Sequence, residues 1–226
     1  MELDGVGKTY ALGGGTSVTA LRDIDLNITR GEFITVMGPS GSGKSTLLHI
    51  LGILEEPSAG TYALEGNELT RLPDKQLSRI RNQYFGFIFQ SFNLFNEYDA
   101  LENVMFPMVT AGIGRSERKE RAVELLDRVG LAHRLHHYPN MLSGGEQQRV
   151  AIARSLANDP TFILADEPTG NLPSDQGAEI LAMLDELNAQ GVTVIMVTHD
   201  AVLGARGSRG VRLRDGMIES DLRRTG

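Results

Sequence analysis

The sequence predicts an α/β fold built on a parallel sheet buried on both faces, and three observations predict it. Short continuous apolar runs recur at Phe33–Met37, Phe85–Phe89, Phe162–Ala165 and Val192–Val197. Segments of helical spacing lie between them. A glycine-rich stretch joins the first run to the first of those helices. Unbroken apolar strands alternating with helices are what a sheet covered on both sides requires. The helices crowd together between Ser91 and Asn158. The fold therefore divides into an α/β core over residues 1–90 and 159–226 and a helical insert over residues 91–158.

Each element follows from local chemistry. Gly13–Gly15 reads as a loop or hairpin tip, and Val18–Ile28 shows broken strand-like alternation after it. The spacing predicts a helix over Lys44–Leu54, with Pro57 just beyond its end. Thr61–Leu64 reads as a strand and Pro73–Arg81 as a helix. Leu101–Val109 and Arg115–Val129 are helical by spacing. In the second, Ala122, Leu125, Leu126 and Val129 share one face, opposite a charged face stabilised by pairs such as Glu117 with Arg121. Gly145–Ala157 is a further helix with Val150, Ile152, Ala153 and Leu156 apolar. Gly177–Ala189 follows, and Val211–Leu213 and Met217–Glu219 close the chain as short strands.

Composition narrows the function classes. The 226 residues are 41% hydrophobic and 23% charged, ordinary values for a globular chain. Twenty-two basic against 29 acidic residues give a net charge of −7, which argues against broad sequence-independent nucleic-acid binding. No cysteine is present, so disulfides, thiolate metal sites and cysteine nucleophiles are excluded. No apolar run reaches the ~18–20 residues that cross a bilayer. The N-terminus lacks the basic start and apolar stretch of a secretory signal. These features predict a soluble, cytoplasmic protein.

Glycine is abundant, at 26 residues, and its clustering marks the chemistry. Gly38-Pro39-Ser40-Gly41-Ser42-Gly43-Lys44-Ser45-Thr46 fits the P-loop pattern, with a strand before it and a helix after it. Glycines let successive N–H groups curl around a phosphate, and the helix start adds its positive end. Lys44 suits the β- and γ-phosphates, and the Ser45 hydroxyl suits Mg²⁺. A second signal is the strand Phe162–Ala165 running into Asp166 and Glu167. Neighbouring strand residues point opposite ways. One carboxylate, Asp166, can then address Mg²⁺ while Glu167 addresses a water attacking the γ-phosphate. A third is Ser143-Gly144-Gly145-Glu146 at a helix start. It reads equally as a capping box, with Ser143 at the cap and Glu146 three residues on, and as an anion site.

The P-loop, the Leu142-Ser143-Gly144-Gly145-Glu146 motif and Leu164-Ala165-Asp166-Glu167-Pro168-Thr169-Gly170-Asn171-Leu172, in that order, resemble the nucleotide-binding subunit of ATP-binding cassette (ABC) transporters. The resemblance covers essentially the whole chain. The segments from Arg81 to Phe95 and from Leu142 to Ala157 look nearest to the macrolide-exporter and lipoprotein-releasing ATPases, with a division-associated ATPase close by. The resemblance implies a P-loop NTPase (RecA-like) core with an N-terminal antiparallel β portion and an inserted α-helical subdomain. It implies an ATPase using ATP and Mg²⁺. Tyr10 resembles the aromatic that stacks on adenine. Gln90 resembles the glutamine that reaches Mg²⁺ and the attacking water, and His199 the histidine on the γ-phosphate. Ser143, Gly144, Gly145 and Glu146 would meet the nucleotide of a second copy, so that ATP closes a head-to-tail homodimer. A separate membrane permease or mechanotransmission subunit would receive the motion, with the chain peripheral on the inner face of the cell membrane.

The stretch Ser91–Val109, with Phe92, Phe95, Leu101 and Phe106, lies where the family receives its membrane partner, although most of these side chains are expected in the core. His133, His136 and His137 read as a polar loop rather than a metal site. One departure stands out. The family's aspartate after Asn171-Leu172 is Pro173 here, which removes a carboxylate and an N–H and predicts weakened coupling between the two ATP sites. A regulatory ATPase on a membrane scaffold, of the cell-division type, is the alternative to a transporter. A DNA-repair cassette would need a long coiled-coil insertion that this chain lacks.

Overall fold

The computed structural model of the chain describes residues 1–12 and 15–224. In chain order the elements are β1 (Glu2–Leu12), β2 (Thr16–Asn27), β3 (Phe33–Met37), α1 (Lys44–Leu51), β4 (Ala59–Leu64), β5 (Asn67–Glu68) and α2 (Asp74–Tyr84). Then come β6 (Phe85–Phe89), α3 (Ala100–Thr110), α4 (Arg115–Arg128), α5 (Gly144–Ser155), β7 (Phe162–Asp166) and α6 (Ser174–Ala189). The chain closes with β8 (Thr193–Val197), α7 (Ala201–Gly204), β9 (Arg209–Arg214) and β10 (Met217–Arg223). Of the expected Gly13–Gly15 hairpin tip, Gly13 and Gly14 lie outside the described residues. The chain forms two compact units, Met1–Ser78 with Thr193–Gly226, and Arg79–Val192.

The first unit holds the N-terminal antiparallel portion and a parallel core. β1 pairs antiparallel with β2 on one side and β4 on the other. β3 pairs in parallel with β8 and with β9. Burial explains the parallel arrangement: Phe33, Ile34, Thr35 and Val36 are at most 4% exposed, so neither face of β3 meets water. The one polar residue there, Thr35, donates from Oγ1 to the Gly204 carbonyl at 2.7 Å, which meets its burial cost. Two hairpins close on two-residue loops, Glu65–Gly66 and Asp215–Gly216, whose residues all have positive φ. That is the turn geometry whose twist matches paired strands.

Arg209 ties the end of this unit together. It is buried and donates to both Asp221 oxygens at 2.7 and 2.6 Å, to Glu32 at 3.0 Å and to the Asn27 carbonyl at 2.7 Å. The Asp221 hydrogen bonds, outweighing burial, hold its guanidinium pKa above the ordinary value. A buried cation stays in a core only with partners of this kind.

The second unit packs α3, α4 and α5 together, with α5 also against the parallel pair β6–β7. The predicted apolar faces are the ones buried: Ala122, Leu125, Leu126 and Val129 on and after α4, and Val150, Ile152, Ala153 and Leu156 along α5. α5 approaches β6 closely. A Cβ on Gly86 would stand 2.3 Å from the Ser155 carbonyl oxygen, so only glycine fits at that crossing. Arg121 does not take the expected partner: it pairs with Asp159, from the loop after α5, in place of Glu117 one turn back on α4.

Helix ends differ from the sequence reading by a few residues. α1 stops at Leu51 because Gly52 caps it and Ile53 turns into positive φ. α5 begins one residue early, at Gly144, because Ser143 takes the cap position. α6 begins at Ser174, three residues before the expected start, because Pro173 stands at its cap with an extended ψ of 151°.

Candidate nucleotide site and signature helix

In the first unit the segment from Gly38 to Gly43 links β3 to α1. Its backbone takes positive φ at Gly38, Gly41 and Gly43. Gly38 and Gly43 also have no room for a side chain: a Cβ on Gly38 would lie 2.2 Å from the Leu213 carbonyl oxygen, and one on Gly43 2.5 Å from that of Ala20. α1 starts at the end of this loop with Gly43 at the cap and no side-chain cap hydrogen bond, and a helix start of that kind suits an anion. Ser42 is buried and its Oγ has no hydrogen-bond partner among the described residues. Lys44 is buried as well, and its Nζ donates to the carbonyls of Gly38 and Pro39, both at 2.9 Å. An uncapped helix start, an unmatched hydroxyl and a held ammonium around one glycine loop fit a polyphosphate.

Tyr10 stands on β1 with its hydroxyl donating to Glu55 at 2.5 Å and lying 3.5 Å from Thr46 Oγ1. Lys8 Nζ sits 5.1 Å from the ring centre and 3.4 Å from Glu55, and His49 lies 3.6 Å from the same carboxylate. Burial pushes the Glu55 carboxyl upward, but the Tyr10 hydroxyl and Lys8 outweigh it and leave the pKa lowered. Burial, then Glu55, raises the Tyr10 phenol. The ring is thus fixed by a polar cluster that the sequence reading missed, since Glu55 lies 45 residues away.

His199 follows β8 and is exposed. Its neighbours hold the backbone in place. Thr198 N–H donates to the Val36 carbonyl at 3.1 Å, and the Asp200 side chain caps α7 through Val202 and Leu203.

In the second unit, β6 and β7 run parallel with Phe89 opposite Asp166. Gln90 and Glu167 therefore leave the sheet from paired residues. β7 ends at Asp166, and Glu167 has φ of 45°, in the left-handed region. Strand alternation does not set the Glu167 direction; the turn does. That turn is tight, with Gly170 N–H donating to the Glu167 carbonyl and Leu172 N–H to that of Thr169, both at 3.0 Å. Asn171 and Gln90 exchange two bonds: Asn171 Nδ2 to the Gln90 carbonyl at 3.0 Å and Gln90 Nε2 to Asn171 Oδ1 at 3.3 Å. Asn171 is a partner of Gln90 that the sequence reading did not name, although it stands inside the motif quoted there.

The start of α5 carries a full capping box. Ser143 Oγ accepts from Glu146 N–H at 3.3 Å, and Glu146 accepts from Ser143 N–H at 2.8 Å. Glu146 also pairs with Arg134 at 3.0 Å. Gly144 and Gly145 face Leu172 and Gln176, where a Cβ on Gly145 would stand 2.4 Å from the Gln176 amide oxygen. Within this helix Gly145, Gln148, Ile152 and Ser155 are buried at helical spacing, so Gln148 belongs to a packed face. Farther along, Arg154 donates to the carbonyls of Phe92 (2.9 Å) and Asn93 (2.5 Å), residues whose φ values of 59° and 51° are left-handed. Burial lowers its guanidinium to about 10, so it is still charged at neutral pH.

Of the residues expected near a membrane partner, Leu101 is core, while Phe95 and Tyr98 are exposed and form an aromatic cluster with Phe106. Asn103, fully buried, holds this loop by donating to the Phe95, Tyr98 and Asp99 carbonyls and accepting from Phe95 N–H. His136 pairs with Asp99 and His137 with Arg134. No group of three or more metal-binding side chains occurs among the described residues.

Glycine loop, uncapped helix start and carboxylate-ended strand together define a P-loop NTPase. Residues 21–170 match the family described as "ABC transporter", and the chain belongs to that family. It is an ATP-binding subunit of this kind, an ATPase. It is 54% identical over 224 residues to an uncharacterized ABC transporter ATP-binding protein of Thermotoga maritima, covering 99% of this chain and 95% of that one. It is 52% identical to the macrolide export ATP-binding/permease protein MacB of Bdellovibrio bacteriovorus, covering 99% of this chain and 34% of MacB. The chain thus spans about a third of the MacB relatives' length. Among solved structures it is similar to a dimeric post-hydrolysis state of the ATP-binding cassette MJ0796 bound to ADP and Pi, with a TM-score of 0.91 and 44% identity, covering 100% of this chain and 99% of that one. No helix among the described residues is long and apolar enough to cross a membrane.

The capping box gives a test of stability. The Ser143 N–H bond, against an opposing push from burial and with help from Arg134, holds the Glu146 carboxyl below its usual range. A depressed carboxyl contributes in full above its unfolded pKa, near ~4.3, and loses that contribution as pH falls through the lower native value. Glu146→Ala is expected to cost about 1 kcal/mol at pH 7. The urea-unfolding curves of the two proteins should draw together as pH falls toward about 3; a gap that widens in acid contradicts this account.

Proposed function

We propose that this chain binds Mg-ATP with its own P-loop, closes on a second copy, hydrolyses the nucleotide and passes the closure to a membrane protein. The observation that carries the reading is the loop Gly38–Thr46, whose uncapped helix start, unmatched Ser42 hydroxyl and buried Lys44 suit a triphosphate. Gly38, Pro39, Ser40, Gly41, Ser42, Gly43, Lys44, Ser45 and Thr46 wrap the phosphates, and Tyr10 stacks on the base. The hydroxyl of Ser45, the amide oxygen of Gln90 and the carboxylate of Asp166 are hard oxygen donors of the kind Mg²⁺ takes. Bound there, the ion would offset phosphate charge.

Glu167 accepts a proton from, and orients, the water that attacks the γ-phosphorus in line. The Pγ–O bond to the water forms as the bond to the β-bridging oxygen breaks, and the electron pair leaves on ADP. Lys44 stabilises charge on the phosphate oxygens, and His199 and Gln90 position the γ-phosphate and the water. Ser143, Gly144, Gly145 and Glu146 would face the nucleotide of the second copy, with the N–H groups of Gly144 and Gly145 as donors and Glu146 holding the cap. The dimer of MJ0796 with ADP and Pi supports this reading. Phosphate bridging two copies makes their association depend on the state of the nucleotide.

The cluster of exposed Phe95 and Tyr98 with half-buried Phe106 suits an apolar segment of a permease or mechanotransmission subunit, and the chain would work on the cytoplasmic face of the membrane. The MacB relatives, in which the matched region occupies about a third of a protein named ATP-binding/permease, support a transporter reading.

Three outcomes test these assignments. Glu167→Gln should retain ATP binding, lose at least about 100-fold in turnover and elute as a dimer with ATP; full turnover refutes the role given to Glu167. Gentle solubilisation of native membranes should release the chain with a polypeptide of few membrane spans and a large extracytoplasmic domain; a partner with many spans refutes that placement. Pro173 caps α6 through its carbonyl, which accepts from Gly177 N–H at 2.8 Å, but it offers no carboxylate. Pro173→Asp should raise the Hill coefficient of ATP hydrolysis; an identical coefficient and rate contradict the expected loss of coupling.

A further inference from the structure

Gln148 lies on the signature helix α5, is fully buried, and reaches away from the cap at Ser143. Its Nε2 donates to two carbonyls, that of Phe89 at 3.4 Å and that of Pro168 at 2.5 Å. The first belongs to the residue just before Gln90, and the second to the residue just after Glu167. Two facing carbonyls require the NH₂ end of the amide there, since an oxygen would repel both. The other end, Oε1, is buried with no hydrogen-bond partner among the described residues. A fully buried amide with an unmatched oxygen is costly, and a methionine would fill similar volume without that cost.

We propose that Gln148 is a positioning residue for hydrolysis: one amide holds together the main-chain segments that carry Gln90 and Glu167. The inference rests on the roles proposed above for those two residues. The surrounding geometry shows why such a tie is needed. Glu167 sits in a left-handed turn, and Phe92 and Asn93 beyond Gln90 are left-handed as well. Such conformations persist only where the surroundings over-determine them. The β6–β7 ladder holds the segments up to Phe89 and Asp166 and no farther. Past it, the Gln90–Asn171 exchange links the same two segments through exposed side chains. Gln148 is the buried link, and Arg154, further along the same helix, holds the far side of the Gln90 loop through the Phe92 and Asn93 carbonyls. The helix that starts at the proposed trans-nucleotide motif therefore grips both flanks of the hydrolytic pair. Displacement of its N-terminal end by a second copy's nucleotide would be carried to Gln90 and Glu167 by these bonds.

The test is steady-state ATPase kinetics of the purified chain and of Gln148→Met, with active concentration set by titration with a non-hydrolysable ATP analogue. The expected result is a KM and an analogue affinity within about twofold of the parent and a kcat lower by about 10–100-fold, the scale of a misplaced reacting group. A merely structural amide would lower the active concentration and leave kcat per active site unchanged; that result overturns the proposal. If Gln148→Met does not fold, Gln148→Leu is measured in the same way. Glu167→Gln runs alongside as the control for the underlying reading. Full turnover in Glu167→Gln removes the catalytic assignment on which the inference rests, whereas loss there with normal kcat in the Gln148 variant overturns the inference alone.

Discussion

A strand buried on both faces has no flank of its own to offer a ligand, and that constraint organises this molecule. β3, β8 and β7 are buried on both faces along nearly their whole length, and β6 is apolar throughout with Phe87 and Phe89 half-buried. Chemistry can begin only where such strands stop. β3 ends at the glycine loop, β8 at Thr198 and His199, β6 at Gln90 and β7 at Asp166 and Glu167. Parallel pairing makes the shared direction useful: β3 and β8 release their loops on one edge of the first unit, and β6 and β7 do so in the second. This is the general rule for open parallel sheets, in which ligands collect beyond the carboxyl ends of the strands.

The ends of such strands pose a second problem, because the chain must leave the ladder without losing its shape. The two units solve it differently. At the glycine loop, shape comes from exclusion: backbone carbonyls at Leu213 and Ala20 stand so close to Gly38 and Gly43 that no side chain fits there. At Gln90 and Glu167, shape comes from side-chain amides that reach carbonyls, namely Gln148 and Asn171. Amide hydrogen bonds of this kind are directional in a way that apolar packing is not.

The fold was legible in the sequence where periodicity and burial agree. Phe33–Met37 and Phe85–Phe89 are strands with the ends the sequence predicts, and the apolar faces of α4 and α5 are the buried ones. Helix ends were less legible because caps decide them: Ser143 and Pro173 each moved a start toward the N-terminus. Gly38–Thr46 and the two carboxylates at the end of β7, Asp166 and Glu167, were legible as motifs. The partners of the site were not. Glu55 reaches Tyr10 from 45 residues away, and Asp159 takes Arg121 from a different element. Gln148 was missed for a physical reason: a polar residue in an amphipathic helix ordinarily marks the solvent face, while its spacing with Gly145, Ile152 and Ser155 marks the core.

Under the function proposed above, the capping box at Ser143 serves two ends. Ser143 and Glu146 satisfy each other's donors in the isolated chain, so the helix start is stable without a ligand. The box consumes the N–H groups of Ser143 and Glu146. The intervening N–H groups of Gly144 and Gly145 lie at positions whose intrahelical partners do not exist. The glycines add no side chain between those donors and an approaching anion, and their close packing on Leu172 and Gln176 fixes the helix against the segment that follows Glu167. A phosphate arriving at α5 would meet a helix already folded and already bonded to the main chain beside Gln90 and Glu167. The cost of ordering is then met by the fold and not by binding, which leaves the contact free energy available to hold two copies together.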